Sequence, residues 1–597
     1  MTQTTTLPHW DVSSVFPSLE SAEFAAAFDG VIVQLGDLER MFDQHAVDRQ
    51  ARIAVDQAIV ATFEAVISAV NTLHDATATL ESYIYSFIST DSRNALAQAK
   101  MSALEQEMVR LAKLNTRLTA WLGSLDRAAL LAASALARDY AYMLERAHLS
   151  AAHQMDPALE ALASELHVTG GTAWGKLYGT FTSQLLVPIE LNGTTRELPM
   201  SAIRNMAFDA DRAVRRRAYE AELVTWHRAA VPIAAALNSV KGEVNTLAQR
   251  RGWADPVEIG LFSSAIDRAT LDAMLGAAHE SFPDFRRYLR AKARVLGIEK
   301  LAWFDLFAPV GRSTSAWSYD DAQVFISRHF GAFSPKLGGL ADRAFNDSWI
   351  DAEPRVGKVG GAFCMPIRPG ESRILANYKP SFGGVSTLAH ELGHAYHNSN
   401  LAARPPLQRS TPMTLAETAS IFCETIVVQA ALAQADRDER LQILEASLQD
   451  SCQVVVDITS RFIFERGLLE GRSKRELSED ELNGLMRDAQ RETYGDGLDA
   501  ELLHPYMWAA KPHYYGSLFY NYPYMFGLLF GLGLYARYTA DPQAFQTGYD
   551  DLLASTGLGD AATLAQRFGI DIRSIDFWRS SLDVIRAQVV QFEELVG

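Results

Sequence analysis

Residues 390–394 read His-Glu-Leu-Gly-His, a spacing that commits this part of the chain to a helix. On an α-helix, side chains four apart lie on one face, one turn above each other. Two imidazoles so placed reach a single Zn²⁺. Glu391 lies beside them, where it can hold and deprotonate a metal-bound water. Leu388, Leu392, Ala395 and Tyr396 supply the buried stripe of the predicted helix, and His390, His394 and His397 the neighbouring stripe. The helix is expected to begin near Ser386.

A catalytic zinc needs three protein ligands and an open position. His397 is a poor third ligand, because a straight helix cannot readily aim three side chains spread over two turns at one ion. A three-histidine pattern would need histidine at position 400, which is Asn400. The better candidate lies in Leu-Ala-Glu-Thr-Ala-Ser-Ile-Phe-Cys-Glu, residues 415–424, read as helical with Glu417 and Glu424 seven apart on one face. Carboxylates on an apolar helix are costly to bury unless paired or metal-bound. Glu417 is therefore expected to be the third ligand, with His397 and Glu424 orienting the ligands from behind.

The rest of the chain sets limits on partners. Its 597 residues suggest several domains or one very large fold. A net charge of −17, from 55 basic and 72 acidic residues, disfavours nucleic acid. Cys364, Cys423 and Cys452 are too few and too scattered for a disulfide framework or a cysteine metal site. The first ten residues lack the basic and apolar regions of a secretory signal. The apolar run Tyr524–Tyr535 is shorter than the roughly 20 residues that span a bilayer, and its glycines suggest a notched, buried helix. No membrane partner is expected, and a cytoplasmic location follows by default.

Residues 20 to about 165 read as long helices, with apolar spacings of three and four over Ala51–Phe87 and Asn94–Leu122. Glycines interrupt at Val168–Trp174, and Gln184–Leu191 followed by Asn192-Gly193 reads as a strand and turn. A soft boundary near residue 200 is expected to separate an N-terminal helical lobe (1–200) from the catalytic domain that carries the metal motif (201–597). Asp209–Arg217 reads as a solvated helix face opened by acidic capping residues. Gly357–Met365 and Arg373–Tyr378 are strand-like, with Pro369-Gly370 as the turn of a β-hairpin just before the motif helix. Glycine lets another backbone approach closely, so Gly360, Gly361, Ala362 and Phe363 are candidates to bind an extended substrate backbone.

Three stretches resemble the thimet oligopeptidase/oligoendopeptidase F family of zinc metallopeptidases. They are Gly-Gly-Ala-Phe-Cys (360–364), Val-Ser-Thr-Leu-Ala-His-Glu-Leu-Gly-His-Ala-Tyr-His (385–397) and the 415–424 segment. Pro-His-Tyr-Tyr (512–515) and Phe-Tyr-Asn-Tyr (519–522) extend the likeness, and His9–Ser18 resembles the start of the oligoendopeptidase F branch. The resemblance implies that His390, His394 and Glu417 hold one Zn²⁺ per chain and that Glu391 is the general base. It also implies a mainly α, two-lobed body enclosing a deep channel, with a small β-sheet next to the motif helix. Such a channel admits short peptides and excludes folded proteins.

The oxyanion of peptide hydrolysis needs a donor besides the metal. His513, Tyr520 and Tyr522 are the candidates, ahead of Tyr514, Tyr515 and Tyr524, and the resemblance favours His513 and Tyr522. The expected activity is zinc-dependent endopeptidase cleavage of short oligopeptides. The alternatives are a metallo-carboxypeptidase or other exopeptidase, and a non-catalytic zinc-containing peptide-binding scaffold.

Overall fold

Short polar side chains set the helix starts. Asp56 accepts the Ile59 N–H and opens the helix Gln57–Thr90, and Asn94 accepts the Ala97 N–H and opens Ala95–Ser124. Each satisfies a donor that the first turn leaves unpaired. The two long helices expected here therefore form, the first starting six residues late because Asp56 rather than apolar spacing fixes its end. The computed structural model describes residues 7–191, 193–311 and 316–597. It is mainly α, with two small sheets among the described residues.

Contacts group the chain into two units, each gathered from separated segments. The first comprises Met1–Gln154, Ala316–Ala430 and Arg537–Gly569. Its helical core joins Ala22–Gln44 to the two helices above, around Phe24, Phe63, Tyr83 and Trp121. The second comprises Met155–Ser315, Ala431–Ala536 and Ile570–Gly597. Its core forms around Trp226, Leu237, Phe464 and Trp508.

These units do not follow a cut at residue 200, which lies inside the second. Tyr178 shows why: its ring stacks on Tyr515 at 3.6 Å and its hydroxyl donates to the Ala509 carbonyl. The glycine break near 168–174 shrinks to one residue, Gly170, between the helices Pro157–Thr169 and Gly171–Ser183. The strand Leu186–Leu191 pairs antiparallel with Thr194–Pro199. Gly193 of the expected turn has φ +73°, and Asn192 lies outside the described residues.

The arginine run is only partly the solvated face expected of it. Asp211 does cap the helix Arg212–Arg250. Arg212 and Arg215, however, converge on the fully buried Asp305, Arg215 from a buried position of its own. A buried carboxylate needs such partners.

In the first unit, Phe363–Arg368 and Glu371–Leu375 form the expected hairpin across Pro369-Gly370. Ile350–Asp351 joins Glu371–Leu375 in parallel, which leaves Phe363–Arg368 at the sheet edge. The strand begins at Phe363, so Gly360, Gly361 and Ala362 precede it instead of lying within it. The helix Phe382–Leu401 packs on both hairpin strands. It starts four residues before the expected Ser386, because Ser381 caps it by accepting the Gly384 N–H.

Among the described residues, one stretch, Met413–Gln434, is long and apolar enough to cross a membrane by length and composition. It carries Glu417 and Glu424, and most of it is buried. The run Tyr524–Tyr535 lies in the buried helix Tyr522–Ala540, where a β-carbon on Gly533 would sit 2.5 Å from the Phe577 ring.

Candidate metal centre

The motif helix presents His390 and His394 to one carboxylate. Glu417 Oε2 lies 3.2 Å from His390 Nε2 and 3.4 Å from His394 Nε2. The ligand atoms of the three residues all fall within 4.8 Å of one another, a group that could hold a metal ion. Tetrahedral zinc with bonds of about 2.0–2.1 Å sets its ligands roughly 3.3 Å apart, which these spacings match.

Glu417 reaches this place by leaving its helix. It sits between Met413–Ala416 and Thr418–Gln434 with φ −90° and ψ 6°. The expectation of one unbroken helix across 415–424 is corrected at that residue. Glu424, one helical stretch further on, approaches the other side of His390, with Oε2 3.1 Å from Nδ1. One imidazole thus meets Glu417 through Nε2 and Glu424 through Nδ1.

Two serines and a glycine complete the arrangement, and none of them was assigned a role in the site from sequence. Ser386 Oγ donates to Glu424 Oε1 at 2.8 Å, and Ser420 Oγ donates to Glu417 Oε2 at 2.7 Å. The i to i+3 spacing of Glu417 and Ser420 is a signal that could have been read. Gly393, the fourth motif residue, lies tight against the backbone at Ala419 and Ser420. A β-carbon there would lie 2.5 Å from Ser420 Cα and 2.6 Å from the Ala419 carbonyl oxygen.

Electrostatics make the cluster a place for a positive charge. Burial alone would keep His390 neutral, but Glu417 and Glu424 outweigh it and push its pKa up to about 10. Burial would raise the Glu417 carboxyl, yet the two imidazoles hold it far below the usual range. Proton and metal compete for the same lone pairs, so a cluster that draws a proton this strongly also draws a cation.

Glu391 differs from both. It is buried, its Oε2 has no hydrogen-bond partner among the described residues, and burial raises its carboxyl above the ordinary value. His397 lies outside the ligand group. It is enclosed, its Nε2 is 2.9 Å from Thr556 Oγ1, and burial depresses its pKa to about 4. Its ring also meets the main chain of Ala416, next to Glu417, a position suited to bracing rather than ligation. Cys364 lies near Asn398 and Ser372, its thiol pushed up by burial and then by Glu391.

The His/Tyr candidates belong to the second unit. The His513 ring stacks on Tyr520 with centroids 4.5 Å apart, and the Tyr520 and Tyr524 hydroxyls are 2.8 Å apart. Burial, then the charges of Arg461 and Lys511, lower the His513 pKa. Tyr522 is 1% exposed, set edge-on to Phe462 inside its own unit. Of the three, His513 and Tyr520 are the partly exposed ones.

At the hairpin, β-carbons on Gly360 and Gly361 would meet nothing within 4 Å. Gly361 has φ +81°, which favours glycine, and Asn377 Nδ2 holds its carbonyl at 2.8 Å. The three cysteines are free thiols.

Comparison with known proteins places this geometry. Residues 338–584 match the model of peptidase family M3, and residues 124–185 match the N-terminal model described as oligopeptidase F. An oligoendopeptidase F homolog of Lactococcus lactis is 24% identical, covering 80% of this chain and 78% of that protein. Group B oligopeptidase PepB of Streptococcus agalactiae is 23% identical over 74% of each. The crystal structure of oligoendopeptidase-F from Enterococcus faecium superposes with a TM-score of 0.68 at 17% identity, covering 96% of this chain and 99% of that one. A crystal structure from Chlamydophila abortus reaches 0.83, also at 17% identity, over 98% of each chain. With the paired histidines, Glu391 and Glu417 all inside the matched span, the chain belongs to peptidase family M3.

Proposed function

We propose that the protein is a zinc-dependent endopeptidase that hydrolyses internal bonds of short oligopeptides. The observation that carries this reading is the convergence of His390, His394 and Glu417 beside the unpartnered, buried Glu391 oxygen. One Zn²⁺ per chain fits that donor set of two imidazoles and a carboxylate, and when bound it lowers the pKa of a water to about 7 and polarises a carbonyl.

The protein's own residues do the rest. Glu391 takes the proton of the attacking water and passes it to the leaving amine. Glu424 accepts from His390 Nδ1, which fixes the ring and leaves Nε2 free to ligate. Ser386 and Ser420 hold the two glutamates, and His397 braces the main chain ahead of Glu417. His513 and Tyr520 are the donors we assign to the oxyanion, since Tyr522 is enclosed. Losing one such donor typically lowers turnover by about 10²–10³. The edge strand that starts at Phe363, approached past Gly360, Gly361 and Ala362, suits an extended peptide added through main-chain hydrogen bonds. Such recognition tolerates many sequences. We place the enzyme in the cytoplasm, with short peptides as its partners and neither nucleic acid nor membrane.

The test is product mapping by mass spectrometry on peptides blocked at both ends, with metal content measured in parallel. Internal cuts support the endopeptidase. Trimming confined to free termini would assign an exopeptidase instead, and stoichiometric metal with no hydrolysis across a diverse library would assign a binding scaffold.

A further inference from the structure

The second unit holds a cavity of about 80 Å³ that the peptide chemistry leaves unused. Three cationic side chains line it, Arg204, Arg461 and Lys511, against one acidic side chain, Asp457. Arg204 is paired outside the lining, with Glu222 at 3.2 Å. Arg461 is 7% exposed and pairs with Asp457 and with Asn521 Oδ1 at 3.0 Å, but its Nε has no partner. Lys511 Nζ makes no hydrogen bond or ion pair to any described residue. Burial, then Arg461, depresses its pKa to about 7. The neighbouring Lys292 is already neutralised by Glu445. One amine without an acidic partner is therefore left over beside an unsatisfied guanidinium N–H, and a bound anion would hold it in its charged form.

The backbone here is also unusual. Gln453–Asp457 is a π-helical turn inside an otherwise α-helical run that continues to Arg472, and such turns are frequent at functional sites. Trp303 and Phe307 supply apolar wall. The cavity is several times the roughly 10–15 Å³ that a single water needs, which leaves room for a small organic ion.

We propose that this cavity binds a small aliphatic monocarboxylate, its carboxylate between Arg461 Nε and Lys511 Nζ and its body against Trp303 and Phe307. A flat carboxylate suits the guanidinium plane and the ammonium together, and one negative charge matches the single excess cation. Binding draws on neither the metal nor Glu391, although Arg461 and Lys511 also act on His513, so its readout is butyrate affinity and not peptide turnover.

The experiment uses the full chain at constant ionic strength, titrated with butyrate, butyramide or chloride and followed by calorimetry and thermal unfolding. Butyrate is expected to bind saturably and to raise Tm, butyramide and chloride to do neither, and Lys511→Met to weaken butyrate at least tenfold. Absence of saturable butyrate binding would overturn the proposal. So would equal binding of butyramide or chloride, or undiminished affinity in Lys511→Met. If that variant does not fold, acylation of wild-type Lys511 by a small amine reagent, mapped by mass spectrometry, replaces it. Butyrate should then slow labelling with the same half-point as its binding, and unslowed labelling would overturn the assignment.

Discussion

Lys241 and Glu465 meet in the second unit with nothing left over, whereas His390, His394 and Glu417 meet in the first with room for one more positive charge. Lys241 is wholly buried, and its Nζ donates to Glu465 and to the Ser517 carbonyl. Glu465 Oε1 also accepts the Phe519 N–H at 3.2 Å. Main chain thus absorbs what the ion pair leaves unsatisfied. Phe519 has φ +48°, a left-handed conformation that costs a bulky residue about 1–3 kcal/mol. The pair therefore pins a strained loop just ahead of Tyr520. In the metal centre, among the described residues, side chains and not main-chain donors hold Glu417 and Glu424 in place, and the centre stays open to a cation. A closed pair is a support, and an open cluster of the same residue classes is a site.

The largest change should follow from opening the closed pair. Lys241→Met strands Glu465 in the interior and is expected to lower stability by about 3–5 kcal/mol in chemical denaturation. Lys241→Met with Glu465→Leu should recover most of it. A single variant within about 0.5 kcal/mol of wild type would break the comparison.

His397 tests whether the bracing beside the centre is also closed. Its folded pKa of about 4 lies below the ordinary 6.5, so the folded state resists its protonation. Its contribution is fully present above pH 6.5 and is lost as pH falls from 6.5 through 4, about 3 kcal/mol in all. His397→Gln should flatten that part of the stability profile, and an unchanged slope would count against an enclosed, neutral imidazole.

Gly393→Ala forces a β-carbon into the Ala419–Ser420 backbone. We expect a loss of about 1–3 kcal/mol together with weaker metal binding, since Glu417 is carried away from the histidines. Normal metal affinity at reduced stability would uncouple helix spacing from the site. Glu424→Ala should be mildest, lowering metal affinity by about 10–100-fold in chelator competition. No change would mean that His390 needs no orientation from Nδ1.

What could be read from sequence was what depends on local spacing. The His390–His394 pair follows from helical geometry alone, and the hairpin from Pro369-Gly370 between two apolar runs. The third ligand was legible as a residue but not as a backbone event: nothing local announces that Glu417 leaves the helix. Ser386 and Ser420 matter only once the two helices cross, and they cross because Gly393 lets them. Asp305 with Arg212 and Arg215, and Lys241 with Glu465, join residues 90 or more positions apart, and no periodicity encodes such pairs. The same holds for the second unit, whose separated segments Tyr178 and Tyr515 help join.

The central claim is that His390, His394 and Glu417 hold the metal while Glu391 moves the proton. Glu391→Gln, assayed for bound metal and for cleavage of a blocked peptide on the same sample, tests it most directly. The account predicts wild-type metal content with turnover reduced by about 10²–10⁴. A metal-loaded Glu391→Gln enzyme that cleaves at the wild-type rate would contradict it.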